Sequence, residues 1–190
     1  LSLIRDTVQQ AAQAITAALD LETEIVDENL KIIGGTGRYA EKIGSYEENG
    51  DLDSPFVYAS CLRNSREYIT FEPGSETFYA AKEKEMAEIC CPIQIEQKAI
   101  GLIGLIAFTP QQRQLMIEKT SELTTFLRIM AELIAGKLVI SQSNIHLQNT
   151  LSSLLSSSDE SASFQNIISV SDVMEKVKQR ALQVSQSNST

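Results

Sequence analysis

The hydrophobic pattern between Glu88 and Phe108 predicts a β-hairpin at the centre of the fold. Ile93 and Ile95 alternate with polar residues, which is the period of a half-buried strand. The polar segment 96–98 turns the chain, and the residues that follow it are apolar on both parities. A strand that is apolar on both faces is covered on both sides, so we expect it near the middle of a sheet.

Two glycines, Gly101 and Gly104, interrupt this apolar strand. Glycine weakens a strand because it has no side chain to pack and loses more entropy on folding. Its presence there indicates a point where another element or a ligand comes close to the backbone.

A long helix is predicted directly after the hairpin, from Pro110 to about Leu155. Thr109 and Gln112 have the spacing of a capping box, and Pro110 suits the first helical position. Apolar residues then recur at helical spacing through the segment. The ordinary explanation of such a stripe is packing in the core of the same chain, but a small domain does not need so long a helix. We therefore expect its far part to pair with a second chain. The residues expected to form this dimer interface are Phe126, Met130, Leu133, Ile134, Leu138 and Ile145.

The rest of the chain predicts an α+β fold. In order, we expect a helix ending near Asp20, strands at 22–26 and 30–33, short helices at 38–43 and 56–62, a strand at 68–71, and a helix or lid at Ala80–Glu88. This order resembles a GAF- or PAS-like antiparallel sheet flanked by helices, with long N- and C-terminal helices side by side.

Net charge and the length of the apolar runs argue against some classes of function. The net charge is −9 and the isoelectric point is near 4.7, which argues against direct contact with nucleic acid or an anionic membrane. No apolar run is long enough to span a bilayer, and no signal peptide is recognisable, so a cytoplasmic location is expected. The chain begins with Leu1 rather than Met, which suggests an excised fragment.

Three segments are expected along the chain. Residues 1–155 would form a sensory domain that includes the long signalling helix. Residues 156–163 are rich in serine, as in flexible linkers. Residues 164–190 are too few to form a core of their own.

The tail resembles the start of the AAA+ domain of bacterial sigma-54-dependent transcriptional activators. The resemblance rests on Phe164-Gln-Asn-Ile-Ile168 followed by a capped, amphipathic segment, although Ser169 stands where that family usually has Gly. It continues at Ser171, Met174, Val177, Ala181, Val184, Ser189 and Thr190. No phosphate-binding Gly-x-x-x-x-Gly-Lys-[Ser/Thr] loop occurs, so this chain cannot hydrolyse ATP by that mechanism.

The front of the chain is similar to the GAF-like sensory domains of such activators. The similar stretches are 24–27, 35–39, 91–93 and 101–108. The resemblance implies a non-enzymatic signal receiver: a small effector alters the terminal helices, which changes the assembly of an ATPase ring that acts on sigma-54 RNA polymerase. DNA binding would belong to a C-terminal helix-turn-helix. The resemblance does not identify the effector or any cofactor.

The candidate pocket lies between the sheet and residues 38–78, where aromatic side chains gather. Effector pockets are mostly apolar with a few polar groups, although ordinary core packing would also explain the aromatics. Residues 34–39 could also hold an anion at a helix start with Arg38 as counter-charge, or simply form a glycine turn. The candidate ligand-binding residues are Arg38, Tyr39, Tyr58, Cys61, Tyr68, Phe78 and Cys91.

Three cysteines, Cys61, Cys90 and Cys91, support an alternative function as a thiol-based redox sensor. Adjacent residues point to opposite faces of a strand, and Cys91 shares the parity of Ile93. Buried cysteines acting as small hydrophobic residues explain the same pattern, and the spacing does not suit a metal.

No catalytic group or metal site is expected. His146 is the only histidine and lies on the outer helix, so no triad can be assembled. A small GAF-type reductase and a passive dimerisation module without a ligand stay as further alternatives.

Overall fold

A computed structural model describes residues 1–47, 51–71 and 85–161, together with 176, 177, 179 and 180. For 156–161 only the helical backbone is described. The chain divides into two compact units, Leu1–Ser141 and Gln142–Thr190. The segment boundaries expected from the sequence stay a prediction.

The first unit contains a five-stranded antiparallel sheet. The strands are β1 (Glu22–Asp27), β2 (Ile32–Gly35), β3 (Tyr68–Thr70), β4 (Ala87–Ile95) and β5 (Lys98–Ala107). Their order across the sheet is β2-β1-β5-β4-β3, so β5 is central, as its two apolar faces predict. Glu96 and Gln97 turn the β4–β5 hairpin with positive φ angles of 50° and 68°, which suit a tight hairpin turn.

Helices cover both faces of this sheet, which makes the fold α+β as expected. They are α1 (Arg5–Leu19), α2 (Val57–Asn64), α3 (Pro110–Glu118) and α4 (Thr120–Ser161), with 3-10 turns at Ser2–Ile4 and Gly37–Lys42. One core packs α1, α3 and the first part of α4 against the sheet. A second, smaller core lies between the sheet and α2.

Alternate residues of the sheet enter the two cores. Ile25, Ile103 and Cys91 point into the core of α1 and α4. Their neighbours Val26 and Leu102 point into the core of α2. The expected pairing of the N- and C-terminal helices on one face of the sheet is confirmed, because α1 and α4 share the larger core.

The capping box at the start of α3 is confirmed, but the single helix predicted from Pro110 is wrong. Thr109 Oγ1 accepts a hydrogen bond from the Gln112 amide at 3.2 Å, and the Gln112 side chain accepts one from the Thr109 amide at 3.2 Å. The helix then ends at Lys119, and α4 begins at Thr120. The Thr120 hydroxyl donates to the Met116 carbonyl at 2.7 Å, which satisfies a group left open by the break.

The segment Ala80–Glu88 was expected to be a helix or lid, and its described part is extended. Ala87 and Glu88 belong to β4, opposite Ala107 and Ile106 of β5. The charged sequence hid a strand because Glu88 is buried despite its carboxyl group. Residues 80–84 lie outside the described part of the chain.

In the second unit, α4 continues to Ser161. Its apolar side chains up to residue 155 are exposed: Ile145, Leu147, Leu151, Leu154 and Leu155. Most of the tail that resembles an AAA+ domain lies outside the described residues. Within the described part of the chain, no helix has the length and apolar content needed to cross a membrane.

We predict that Leu127→Ala lowers the free energy of unfolding of the chain by about 2–5 kcal/mol. Leu127 is fully buried between α4 and the sheet, so truncation leaves a cavity. Urea denaturation followed by circular dichroism measures the change. Leu3→Ala is the control, because Leu3 is 50% exposed and should lose less than about 1 kcal/mol. Equal losses for the two variants would contradict the core described here.

Candidate functional site

The sheet face beneath α2 brings together groups from three neighbouring strands. Gly104 of β5 lies opposite Glu24 of β1 on one side and Cys90 of β4 on the other. Tyr58 of α2 covers this row. A buried carboxyl, a buried thiol and a buried phenol thus meet above a glycine.

Gly104 is required for the position of Tyr58. A Cβ atom built on Gly104 would lie 2.4 Å from the Tyr58 hydroxyl oxygen, which is too close for any real contact. The missing side chain lets the hydroxyl lie against the backbone and donate to Glu24 Oε2 at 2.9 Å. The close approach that the glycines predicted is confirmed at Gly104.

Glu24 is only 1% exposed, and only one of its oxygens is satisfied. Oε2 accepts the Tyr58 hydroxyl, whereas Oε1 receives no hydrogen bond from any described residue. Burial raises the pKa of Glu24 well above its usual value, and the neighbouring carboxyl of Glu47 raises it further. Two carboxyl groups this close need a shared proton or a donor between them.

Glu88 of β4 is a second buried carboxyl on this face, with 3% exposure. Burial, with a contribution from the charge of Glu85, raises the pKa of Glu88 to about 8. The nearby polar groups of Tyr58 and Cys90 offset part of this rise. Tyr58 therefore contacts both acidic groups, one on each side of the central strand.

Tyr39 closes one end of the face. Its hydroxyl donates to Glu85 Oε1 at 2.5 Å, and burial raises the pKa of the phenol. A Cβ on Gly35 of β2 would lie 2.7 Å from the Tyr39 carbonyl oxygen, so this glycine also permits a close approach. Lys42 lies with its ammonium 5.3 Å from the centre of the Tyr39 ring.

Arg38 lies at the edge of this face rather than over it. Its guanidinium pairs with Glu22 and stacks on the Phe108 ring at 3.7 Å, and its amide donates to Glu22 Oε2 at 2.8 Å. The glycine turn expected to hold an anion therefore binds the carboxylate of Glu22, an anion of the same chain.

The remaining predicted residues divide between the two faces. Cys61 is fully buried in the core of α2, and Tyr68 is half-buried beside it with its hydroxyl accepting from the Asn64 amide at 2.8 Å. Cys91 points the opposite way, into the core of α1 and α4. Phe78 lies outside the described residues.

Cys91 borders a separate groove of about 620 Å³ between β4 and α4. Arg128 of α4 and Glu67 form an ion pair there, with nitrogen–oxygen distances of 2.6 and 2.9 Å. Cys90, which was not among the candidate ligand residues, shares the core of α2 with Cys61.

Comparisons with known proteins agree with this architecture. No family model matches the chain. The GAF domain of Acinetobacter phosphoenolpyruvate-protein phosphotransferase covers 75% of the chain and 86% of its own length, with a TM-score of 0.58 and 14% identity. The A. aeolicus nlh2 GAF domain in an inactive state covers 72% and 85%, with a TM-score of 0.55 and 12% identity. This chain has the GAF fold.

In sequence, this GAF domain is 27% identical over 140 residues to the putative uric acid sigma-54-dependent transcriptional regulator UacR of Escherichia coli K12. The match covers 73% of the chain and 24% of that relative, so the matched region is only about a quarter of the relative's length. The resemblance inferred from the sequence is confirmed by this similarity to a sigma-54-dependent regulator and by the GAF fold.

Sequence reasoning missed the acidic residues that define the α2 face of the GAF domain. Glu24 and Glu88 have raised pKa values and Glu47 lies beside Glu24, yet none of the three was a candidate. A signal existed for two of them, because Glu24 precedes Ile25 and Val26, and Glu88 precedes Ile89, in predicted strand or border positions. An acidic residue within an apolar strand pattern indicates a buried carboxyl.

We predict that the GAF domain becomes less stable as the pH rises from about 4.5 to about 8, and that Glu88→Gln reduces this dependence. The pKa of Glu88 is raised in the folded state to about 8, so the cost of ionising it is absent below the unfolded pKa and grows up to the folded pKa. The variant should be more stable than wild type at pH 8 by at least about 1 kcal/mol, and by less at pH 5. Urea denaturation at both pH values tests this, with Glu96→Gln at the exposed hairpin tip as the control. Parallel pH profiles for wild type and Glu88→Gln would contradict it.

Proposed function

We propose that this GAF domain is the effector-sensing regulatory domain of a sigma-54-dependent transcription activator. The effector is a small molecule that binds on the α2 face of the sheet. The observation that carries the proposal is the buried carboxyl of Glu24, whose Oε1 has no hydrogen-bond donor among the described residues. Since buried polar groups are nearly always paired in folded proteins, such a group indicates a missing partner.

The two faces of the sheet suggest how a signal could leave the site. Glu24 and Cys90 on the α2 face are followed in their strands by Ile25 and Cys91, which pack against α1 and α4. A shift of these strands on effector binding would therefore repack the terminal helices. An effector can change this balance only by the difference in its affinity for the two packings.

The proposed output is a change in a dimer formed through α4, which would control a downstream ATPase ring. Ile134 and Leu138, expected at the interface, are buried in the core of the same chain, and Phe126 and Met130 are half-buried against that core. Leu133 is 62% exposed and is available. Other apolar side chains of α4 are exposed, and we place these in the proposed dimer interface instead of the buried residues. With Leu133, they are Ile129 and Ile140 in the first unit, and Leu147, Leu151 and Leu154 in the second.

The seven-residue spacing of Leu133, Ile140, Leu147 and Leu154 supports the dimer. Such a repeat keeps one apolar seam facing a partner helix in a coiled coil. Ile145 is 42% exposed and follows Leu138 by seven residues, so it does not belong to this repeat.

The alternative function as a thiol sensor has weaker support. All three cysteines are buried, and burial raises the pKa of each thiol, to about 12 for Cys91. A reactive cysteine needs an accessible thiolate, which forms at neutral pH when the surroundings lower the pKa of the thiol. We therefore favour a non-enzymatic sensor of a small molecule over a redox sensor or a reductase.

Uric acid is the first effector to test, because it appears in the name of the related regulator. We predict that uric acid raises the melting temperature of the chain, and that Gly104→Ala abolishes this response by displacing the Tyr58 hydroxyl. Differential scanning fluorimetry and calorimetric titration measure both effects.

Gly136→Ala in α4 is the matched control for that titration, because a Cβ atom there meets nothing within 4 Å. The control should keep the full response. If uric acid leaves wild type unchanged, it is not the effector; if both alanine variants respond as wild type does, the effector does not bind beneath Tyr58.

We predict that Leu133→Asp weakens the dimer by about tenfold or more, since the charge would be buried in the apolar seam. Analytical ultracentrifugation over a concentration series measures the dissociation constant. Val139→Asp introduces the same charge at a 42% exposed position outside the seam and should leave the constant unchanged. A monomeric wild-type chain at all concentrations, or equal effects of the two variants, would contradict the proposed interface.

A further inference from the structure

The groups around Glu24 include more hydrogen-bond acceptors than donors. Tyr58 supplies one donor, to Oε2. The next group, Glu47, is another carboxyl that lies within hydrogen-bonding reach of Glu24. Two ionised carboxyl groups can only accept hydrogen bonds, so this pair lacks a donor unless it holds a proton.

The other groups that face Glu24 do not remove the imbalance. Glu88 and Glu85 add two further carboxyl groups, and the Tyr39 hydroxyl already donates to Glu85. The Cys90 thiol is hydrogen-bonded to Glu88. On the 3-10 turn, Lys42 lies over the Tyr39 ring and Arg38 lies over the Phe108 ring. Glu24 Oε1 stays without a donor from any described residue.

This arrangement selects one ligand chemistry. A carboxylate or another acceptor placed here would add repulsion to groups that already lack donors. An N–H group would satisfy Glu24 Oε1, and a second N–H on the same molecule could reach Glu47. Charge-assisted hydrogen bonds of this kind are about twice as strong as neutral ones.

Building on the proposed function, we propose that the effector is a small molecule with at least two N–H donors, such as an amidine, a ureide or a nitrogen heterocycle, bound by Glu24 and Glu47. Its N–H groups replace the proton that Glu24 carries when no ligand is bound. Binding therefore releases a proton, and affinity rises with pH until Glu24 is ionised without the ligand.

Three molecules with the same two-carbon skeleton test the ligand class. Acetamidinium is a cation with N–H donors, acetamide is neutral with N–H donors, and acetate is an anion without them. Each is titrated into the chain labelled with carbon-13 at the glutamate carboxyl groups, and the Glu24 signal is followed by NMR. Acetamidinium should bind about tenfold more tightly than acetamide, and acetate should leave Glu24 unshifted.

Calorimetric titration of acetamidinium in buffers of different ionisation enthalpy measures the proton release directly. Glu24→Gln should lose acetamidinium binding, because the amide cannot take the negative charge that pairs with the cation. Glu67→Gln is the matched control, since Glu67 pairs with Arg128 at the separate groove beside Cys91, and it should bind as wild type does. Equal binding by both variants, or no proton release, would overturn the proposal.

The outcomes separate this inference from the proposed function. Tightest binding by acetate, lost in Glu24→Gln, would overturn the ligand class and leave the α2 face as the effector site. No shift of Glu24 with any of the three molecules would also overturn the inference, while the uric acid titration still decides the proposed site.

Discussion

The structure depends on keeping a carboxyl group inside the sheet of a small domain. Burying Glu24 removes the hydrogen bonds that water would otherwise make to its carboxyl group, which costs free energy. The hydrogen bond from the Tyr58 hydroxyl offsets only part of this cost. That hydroxyl reaches the carboxyl because position 104 carries no side chain. The same hydroxyl contacts Glu88, so one phenol organises both acidic groups across the central strand.

The two faces of the central strand β5 pack in cores of different composition. On one face, β5 packs with α1 and α4 in an apolar core that defines the shape of the domain. On the other face it lies beneath α2, where polar groups interrupt the apolar packing. Stability therefore comes mainly from one side and chemistry from the other.

Much of the fold follows from local sequence patterns. Three predictions from local patterns agree with the structure. They are the central position of β5, the capping box at Thr109 and the close approach at Gly104. The break at Lys119 could not be predicted, because the apolar spacing continues past it and Thr120 satisfies the open carbonyls through its hydroxyl. The burial of Glu88 was hidden for a related reason. Its partners Tyr58 and Cys90 are distant or inconspicuous in the sequence, and only the tertiary fold brings them together.

The contact between Gly104 and Tyr58 also limits how this face can evolve. A side chain larger than hydrogen at position 104 is compatible with α2 only if the phenol oxygen is lost or moved. Exchange of the glycine for alanine together with the tyrosine for phenylalanine would conserve the packing volume while removing the donor to Glu24. A side chain at position 104 and the donor to Glu24 therefore exclude each other, so a change in one requires a change in the other.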